Sequence, residues 1–154
     1  MIVACDQNGI KLAATTIKNG GLVTFPTDTV YGLGCDPRNA KAIEAIFRIK
    51  KREESKQLPV LGYSKGEISK IAIFDDVSNK IADKFWPGQV TLVLKLKDMA
   101  IKKAMNLDDK IAVRVPNHPC TLALLKDKWL IFSSSLSSSK FSGNREMIGL
   151  LCRQ

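Results

Sequence analysis

The segment GGLVTFP (residues 20–26) constrains the fold more than any other feature of the sequence. Gly20 and Gly21 close whatever precedes them, and Pro26 cannot donate to a strand ladder. The run Leu22, Val23, Thr24, Phe25 therefore reads as one short buried strand. The residues before it are helical in pattern: Ile10, Ala13, Ala14 and Ile17 form one stripe across residues 9–19, ended by the two glycines. After Pro26 comes TDTVYGLGCD (residues 27–36), dense in hydroxyls and glycine. A polar turn accounts for the breakers. It does not account for hydroxyls gathered at the end of a strand, where α/β sheets commonly bind ligands.

The same punctuation recurs along the chain. Asn39 can cap a helix over residues 40–50, with Ile43, Ile46, Phe47 and Lys50 on or beside one face. QLPVLGY is a short strand, and residues 67–73 and 77–85 read as helices, the second stopped by WPG. QVTLVLKLK alternates as a sheet strand does. Residues 98–110 read as a loop or irregular helix, KIAVRV as a strand ended by Pro116, and residues 121–126 as a helix. WLIF is a strand, and residues 144–152 read as a last helix. Helices and strands alternate without a strict repeat. The expected fold is α/β (α+β), one twisted mixed sheet with flanking helices in a single domain over residues 1–154.

Composition narrows the function classes. At 45% hydrophobic and 25% charged, the 154 residues can bury a core without staples. No run is long and apolar enough to span a membrane, and MIVACDQNGI has no basic start before an apolar stretch, so neither a membrane-spanning role nor a secretory signal is expected. Cys5, Cys35, Cys120 and Cys152 lack C-x-x-C spacing, and His118 is the only histidine, which argues against a zinc site. No metal site is expected. Scattered cysteines suit a reducing cytoplasm, where they serve as small buried hydrophobes. Lys and Arg number 24 against 15 Asp and Glu, a balance of +9 that suits an anionic partner: nucleotide, nucleic acid or acidic membrane surface.

Three places carry candidate chemistry. RIKKREESKQLPVL holds Lys50, Lys51, Arg52 and Lys56. Lys50 and Arg52 converge on phosphate oxygens if the chain is extended there; the plain alternative is a solvated helix end whose cations favour the C-terminal dipole. Arg114, between Val113 and Val115, needs a partner for its charge, and a protein carboxylate and a bound anion both stay open. The serine run of residues 133–140 reads by composition as a loop, yet it directly follows a strand, where hydroxyls can meet a ligand. His118, in a turn, reads as a cap or packing residue and not as a base.

FPTDTVYGLG, KKREESKQLPVL, WPGQVTLVL and AVRVPNHP, in this order and spacing, resemble the YrdC/Sua5 family, whose members include the threonylcarbamoyl-AMP synthases. The resemblance implies a YrdC-like fold with a basic concave cavity. The reaction it implies joins L-threonine, bicarbonate and ATP, with Mg²⁺, into threonylcarbamoyl-AMP and pyrophosphate, in the cytoplasm. That product serves the threonylcarbamoyladenosine modification of tRNA, which a separate transferase complex completes. The family's motifs fall on Thr29 and Arg114 for threonine, and on Lys50 and Arg52 as catalytic cations facing ATP with Lys56. Its T-S-A-N loop falls on SSSLSSSKFSG: in one register Ser135 keeps a hydroxyl for substrate and Ser137 replaces the asparagine that meets nucleotide, and in a later register, ending on Ser142-Gly143, Lys140 takes the asparagine position.

The family usually continues into further strands, so a chain stopping at Gln154 is expected to be a short member. The competing function class is a non-catalytic module that binds tRNA or double-stranded RNA in the same basic cavity. Against it, aromatic residues are only 6% of the chain, few for stacking bases.

Overall fold

The computed structural model describes residues 1–51, 58–127, 130–135 and 147–151. Strand β1 is Ile2–Ala4, and Asp6 then caps α1 (Gln7–Lys18), its carboxylate accepting from the Gly9 N–H at 2.8 Å. The chain leaves α1 through Gly20, at φ +83°, a conformation that favours glycine. Strands β2 (Leu22–Phe25) and β3 (Gly32–Cys35) follow, then α2 (Ala40–Lys50), capped by Asn39 as expected. The remaining elements are β4 (Val60–Gly62), α3 (Lys65–Ile68), β5 (Ala72–Ile73), α4 (Asp76–Phe85), β6 (Leu92–Leu96), α5 (Met99–Ala104), β7 (Lys110–Arg114), α6 (Pro119–Asp127), β8 (Leu130–Ser135) and β9 (Met147–Leu151).

Among the described residues these strands join in one mixed sheet, ordered β1-β9-β2-β3-β8-β4-β7-β6-β5. Pairs β1/β9, β2/β9 and β4/β7 are parallel and the other pairs antiparallel. Side chains alternate along β2: Val23 and Phe25 pack with Ala13, Ile17, Leu124 and Leu125 of α1 and α6, whereas Leu22 packs with Ile43 and Ile46 of α2. A third cluster joins Ile68, Ile71 and Ile101 to Val60, Val113, Leu94 and Leu96. Helices thus cover both faces of the sheet. Where β6 and β7 extend beyond α1 and α6, Val93 is 60% exposed, and Lys95 and Lys110 stand exposed as a cross-strand pair. Among the described residues no helix is long and apolar enough to cross a membrane.

Four expectations are corrected. The helix expected over residues 67–73 is a single turn, because Ala72 and Ile73 pair with Leu96 and Lys95 of β6. The last helix expected over residues 144–152 is instead strand β9, an apolar run inserted between β1 and β2. Short apolar runs carry no period that separates strand from helix, and the central slot of the sheet decides. The serines 133–135 are not loop but the end of β8, with Ser133 and Ser134 buried. Cys5 and Cys120 are not isolated: their sulfurs are bonded, with Cα atoms 6.0 Å apart, and of the described cysteines Cys35 alone is free and buried.

Gly34 sits where β3 packs on β8 and β2. A Cβ there would lie 2.8 Å from the Phe132 carbonyl oxygen and 2.8 Å from Phe25 Cε1, and would also press on Ile131. Gly34→Ala is expected to destabilise the fold by about 1–3 kcal/mol, read as a lower urea midpoint at unchanged slope. An unchanged midpoint would contradict this packing.

Candidate functional site

Register places the key side chains on one face. Leu61 pairs with both Arg114 and Ile131, and Ser133 and Ser135 follow Ile131 at two-residue steps. Arg114, Ser133 and Ser135 therefore project to the same side of the sheet. Beside them, Phe25 pairs with Gly32 and Gly32 with Ser135, so residues 26–31, which join β2 to β3, stand over this row. The result is a cavity of about 160 Å³ lined by Thr27, Thr29, Tyr31, Arg114, Ser133 and Ser135, among others.

The glycines of this segment do not make the turn that the sequence suggests. They belong to β3 and provide clearance: a Cβ on Gly32 would lie 2.9 Å from the Phe25 ring and 3.0 Å from Ser133 Oγ. Hydroxyls shape the turn instead. Thr27 Oγ1 accepts from the N–H groups of Thr29 and Val30 at 3.2 Å each, and lies 3.0 Å from Thr29 Oγ1. The start of the segment is tied down by Thr121, fully buried in α6, whose hydroxyl donates to the Pro26 carbonyl. The next residue back, Cys120, is the one bonded to Cys5, and its N–H donates to His118 Nδ1 at 3.2 Å. His118 thus acts as the expected cap.

Arg114 finds its counter-charge within the protein. Its Nη2 donates to Asp28 Oδ1, and its Nε donates to the Gly88 carbonyl at 2.8 Å. The two charged side chains are only 12% and 14% exposed. Gly88 is itself fixed by an N–H to the Val115 carbonyl at 2.8 Å, and Gln89 Nε2 reaches the Asp28 carbonyl at 3.4 Å. Of the two partners left open by the sequence, the carboxylate is present, supplied by the same motif that holds Thr29. Asp28 and Gly88 were not assigned from the sequence. The available signal was the acid between Thr27 and Thr29 and the glycine of WPG, each too common alone to assign.

Lys50, at the end of α2, donates from Nζ to the Ser135 carbonyl and so reaches the rim of this cavity. The structure therefore brings Thr29, Arg114 and Ser135 together, with Lys50 beside them. Arg52, Lys56 and Ser137 lie outside the described residues. Cys35 is no nucleophile: burial first, and then the neighbouring Asp36, push its thiol far above the ordinary range.

Thr121→Val is expected to release the start of the segment over residues 26–31. It removes a buried donor to Pro26 and should cost about 1–3 kcal/mol in urea unfolding. A cost near zero would show that the Thr121 hydroxyl does not tether this segment.

The Sua5/yciO/yrdC family model, described as Telomere recombination, matches residues 15–147. A threonylcarbamoyl-AMP synthase of Pseudoalteromonas translucida is 34% identical over 152 residues, covering 94% of this chain and 78% of that protein. A threonylcarbamoyl-AMP synthase of Bacillus subtilis is 33% identical over 79% of this chain, which spans 36% of its length. The crystal structure of P. abyssi Sua5 complexed with L-threonine superposes with a TM-score of 0.85 at 29% identity, over 97% of this chain and 49% of that one. The chain thus spans about half or less of two of these three proteins.

Proposed function

The chain belongs to the Sua5/YciO/YrdC family, and we propose that it is a threonylcarbamoyl-AMP synthase, a nucleotidyltransferase acting on L-threonine, bicarbonate and ATP. The observation that carries this reading is the small cavity in which Arg114 stands opposite the hydroxyl-bearing segment of Thr27 and Thr29. A cation beside clustered hydroxyls suits a small hydroxy amino acid: carboxylate on Arg114, hydroxyl and amine among Thr29, Ser133 and Ser135.

In the proposed reaction the threonine amine and bicarbonate form a carbamate with loss of water. A carbamate oxygen then bonds to the α-phosphorus of ATP, the bond to the β-phosphate oxygen breaks, and pyrophosphate leaves. Every partner in that displacement is anionic, so the chemistry needs cations and positioning more than a protein nucleophile. Lys50, at the cavity rim, and Arg52 are assigned to the phosphates, with Lys56 and Ser137 on the nucleotide. Among the described residues no cluster of His, Cys, Asp or Glu is arranged to hold a metal ion. The donors offered here suit phosphate and not a divalent cation, so Mg²⁺ would enter on ATP, where it neutralises phosphate charge.

The product, a reactive mixed anhydride, is assigned to a cytoplasmic transferase complex that modifies tRNA. Direct binding of tRNA or double-stranded RNA is the second reading, favoured by the exposed pair Lys95 and Lys110. It would show as salt-dependent RNA affinity without ATP turnover.

The reading is tested by pyrophosphate release, expected to require both threonine and bicarbonate; equal release without threonine would overturn it. Arg114→Lys keeps the charge and loses the planar fork, so it should weaken threonine binding by about 2–5 kcal/mol in calorimetry. Threonine affinity retained within about twofold, roughly 0.4 kcal/mol, would remove Arg114 from the substrate site.

A further inference from the structure

Arg114 carries five N–H donors in a planar fork. The contacts described above use one edge of it: Nε on the Gly88 carbonyl and Nη2 on Asp28 Oδ1. The other edge, which bears Nη1, has no partner among the described residues, and Arg114 lines the cavity. Asp28 does not line it, although Thr27 and Thr29 on either side do. The segment therefore presents two hydroxyls to the cavity and hides the acid between them, behind the guanidinium. Three tethers hold the acid in place: the Thr27 turn, the Thr121 bond to Pro26, and Gln89 on the Asp28 carbonyl.

We propose that Asp28 is the positioning and anion-selecting residue of the substrate site. With the Gly88 carbonyl it pins one edge of Arg114, so that the opposite edge forms a single seat for the substrate carboxylate. This rests on the assignment of that carboxylate to Arg114. Geometry is half of the role. A guanidinium held on one edge has lost its rotational freedom before substrate arrives, so a planar two-oxygen carboxylate meets a preorganised pair of donors. Charge is the other half. Arg114 and Asp28 sum to zero, so the seat suits a singly charged carboxylate and gives little to a multiply charged phosphate. The reaction brings both kinds of anion into one cavity. A neutralised seat at the Arg114 end leaves phosphate to the rim where Lys50 stands. Without Asp28, phosphate would compete for Arg114.

The test is calorimetry on the full chain with L-threonine, ATP and inorganic phosphate as separate probes. Asp28→Ala is expected to raise the threonine Kd by about tenfold or more, and to leave the ATP Kd within about twofold. Asp28→Asn keeps the hydrogen-bonding shape without the charge. It should recover part of the threonine affinity, and inorganic phosphate should now compete with threonine, as it does not in the parent. Threonine affinity unchanged in both variants, while Arg114→Lys loses it, overturns the role of Asp28 and leaves the assignment of Arg114 standing. Threonine affinity unchanged in Arg114→Lys as well overturns both. Threonine and ATP affinities that fall in parallel, or loss of the folded circular dichroism spectrum in both variants, identify Asp28 as structural and overturn the proposal.

Discussion

A guanidinium on a strand, flanked by two valines, has to be met by acceptors, and the architecture of the site follows from how this chain meets it. Arg114 rises from β7 and is held by Asp28, from the segment between β2 and β3, and by Gly88, from the turn between α4 and β6. Three parts of the chain far apart in sequence are tied at one side chain. Such a pair gives little net stability, because desolvating both charges offsets most of their attraction. Its effect is to specify position. An unpaired Asp28 or Arg114 at this depth would be costly, so the segment over residues 26–31 cannot drift from β7 without exposing that cost. The cavity keeps its shape for the same reason that the pair exists.

Around that tie the packing is ordinary and consistent. Helices α1 and α6 bury one face of the sheet through Ala13, Ile17, Leu124 and Leu125, and α2 buries the other through Ile43 and Ile46. The first turn of α6 has two attachments, Cys120 to Cys5 and Thr121 to Pro26. The helix therefore fastens the start of the segment over residues 26–31 to the core on the α1 side. The cavity lies where the sheet is not covered, beside β7, and the basic residues Lys95 and Lys110 continue the same open face.

Elements with both a period and a punctuation mark were legible in the sequence. Asn39 capping α2, the glycines after α1 and Pro26 after β2 are local signals, and the structure agrees with each. Elements defined by a partner were not. MIGLL, within residues 144–152, reads as helix, and only the slot between β1 and β2 makes it a strand; β1, three residues long, has no signal of its own. The site divides the same way. The problem at Arg114 was visible, since a buried charge in IAVRVP demands an answer. The answer was not, because Asp28 lies 86 residues away and nothing local marks it as the partner. The serines of β8 misled for a related reason: serine-rich composition suggests a loop, but pairing with Gly32 and Gly34 of β3 leaves room for their short side chains.

The central claim is that the Arg114 guanidinium, held on one edge by Asp28 and Gly88, is the seat for the substrate carboxylate. A crystal structure of this chain with L-threonine tests it most directly. The account predicts carboxylate oxygens about 2.7–2.9 Å from the free edge of Arg114, with the bonds to Asp28 and Gly88 still in place. A threonine carboxylate seated on Lys50, or one that has displaced Asp28 from Arg114, would contradict it.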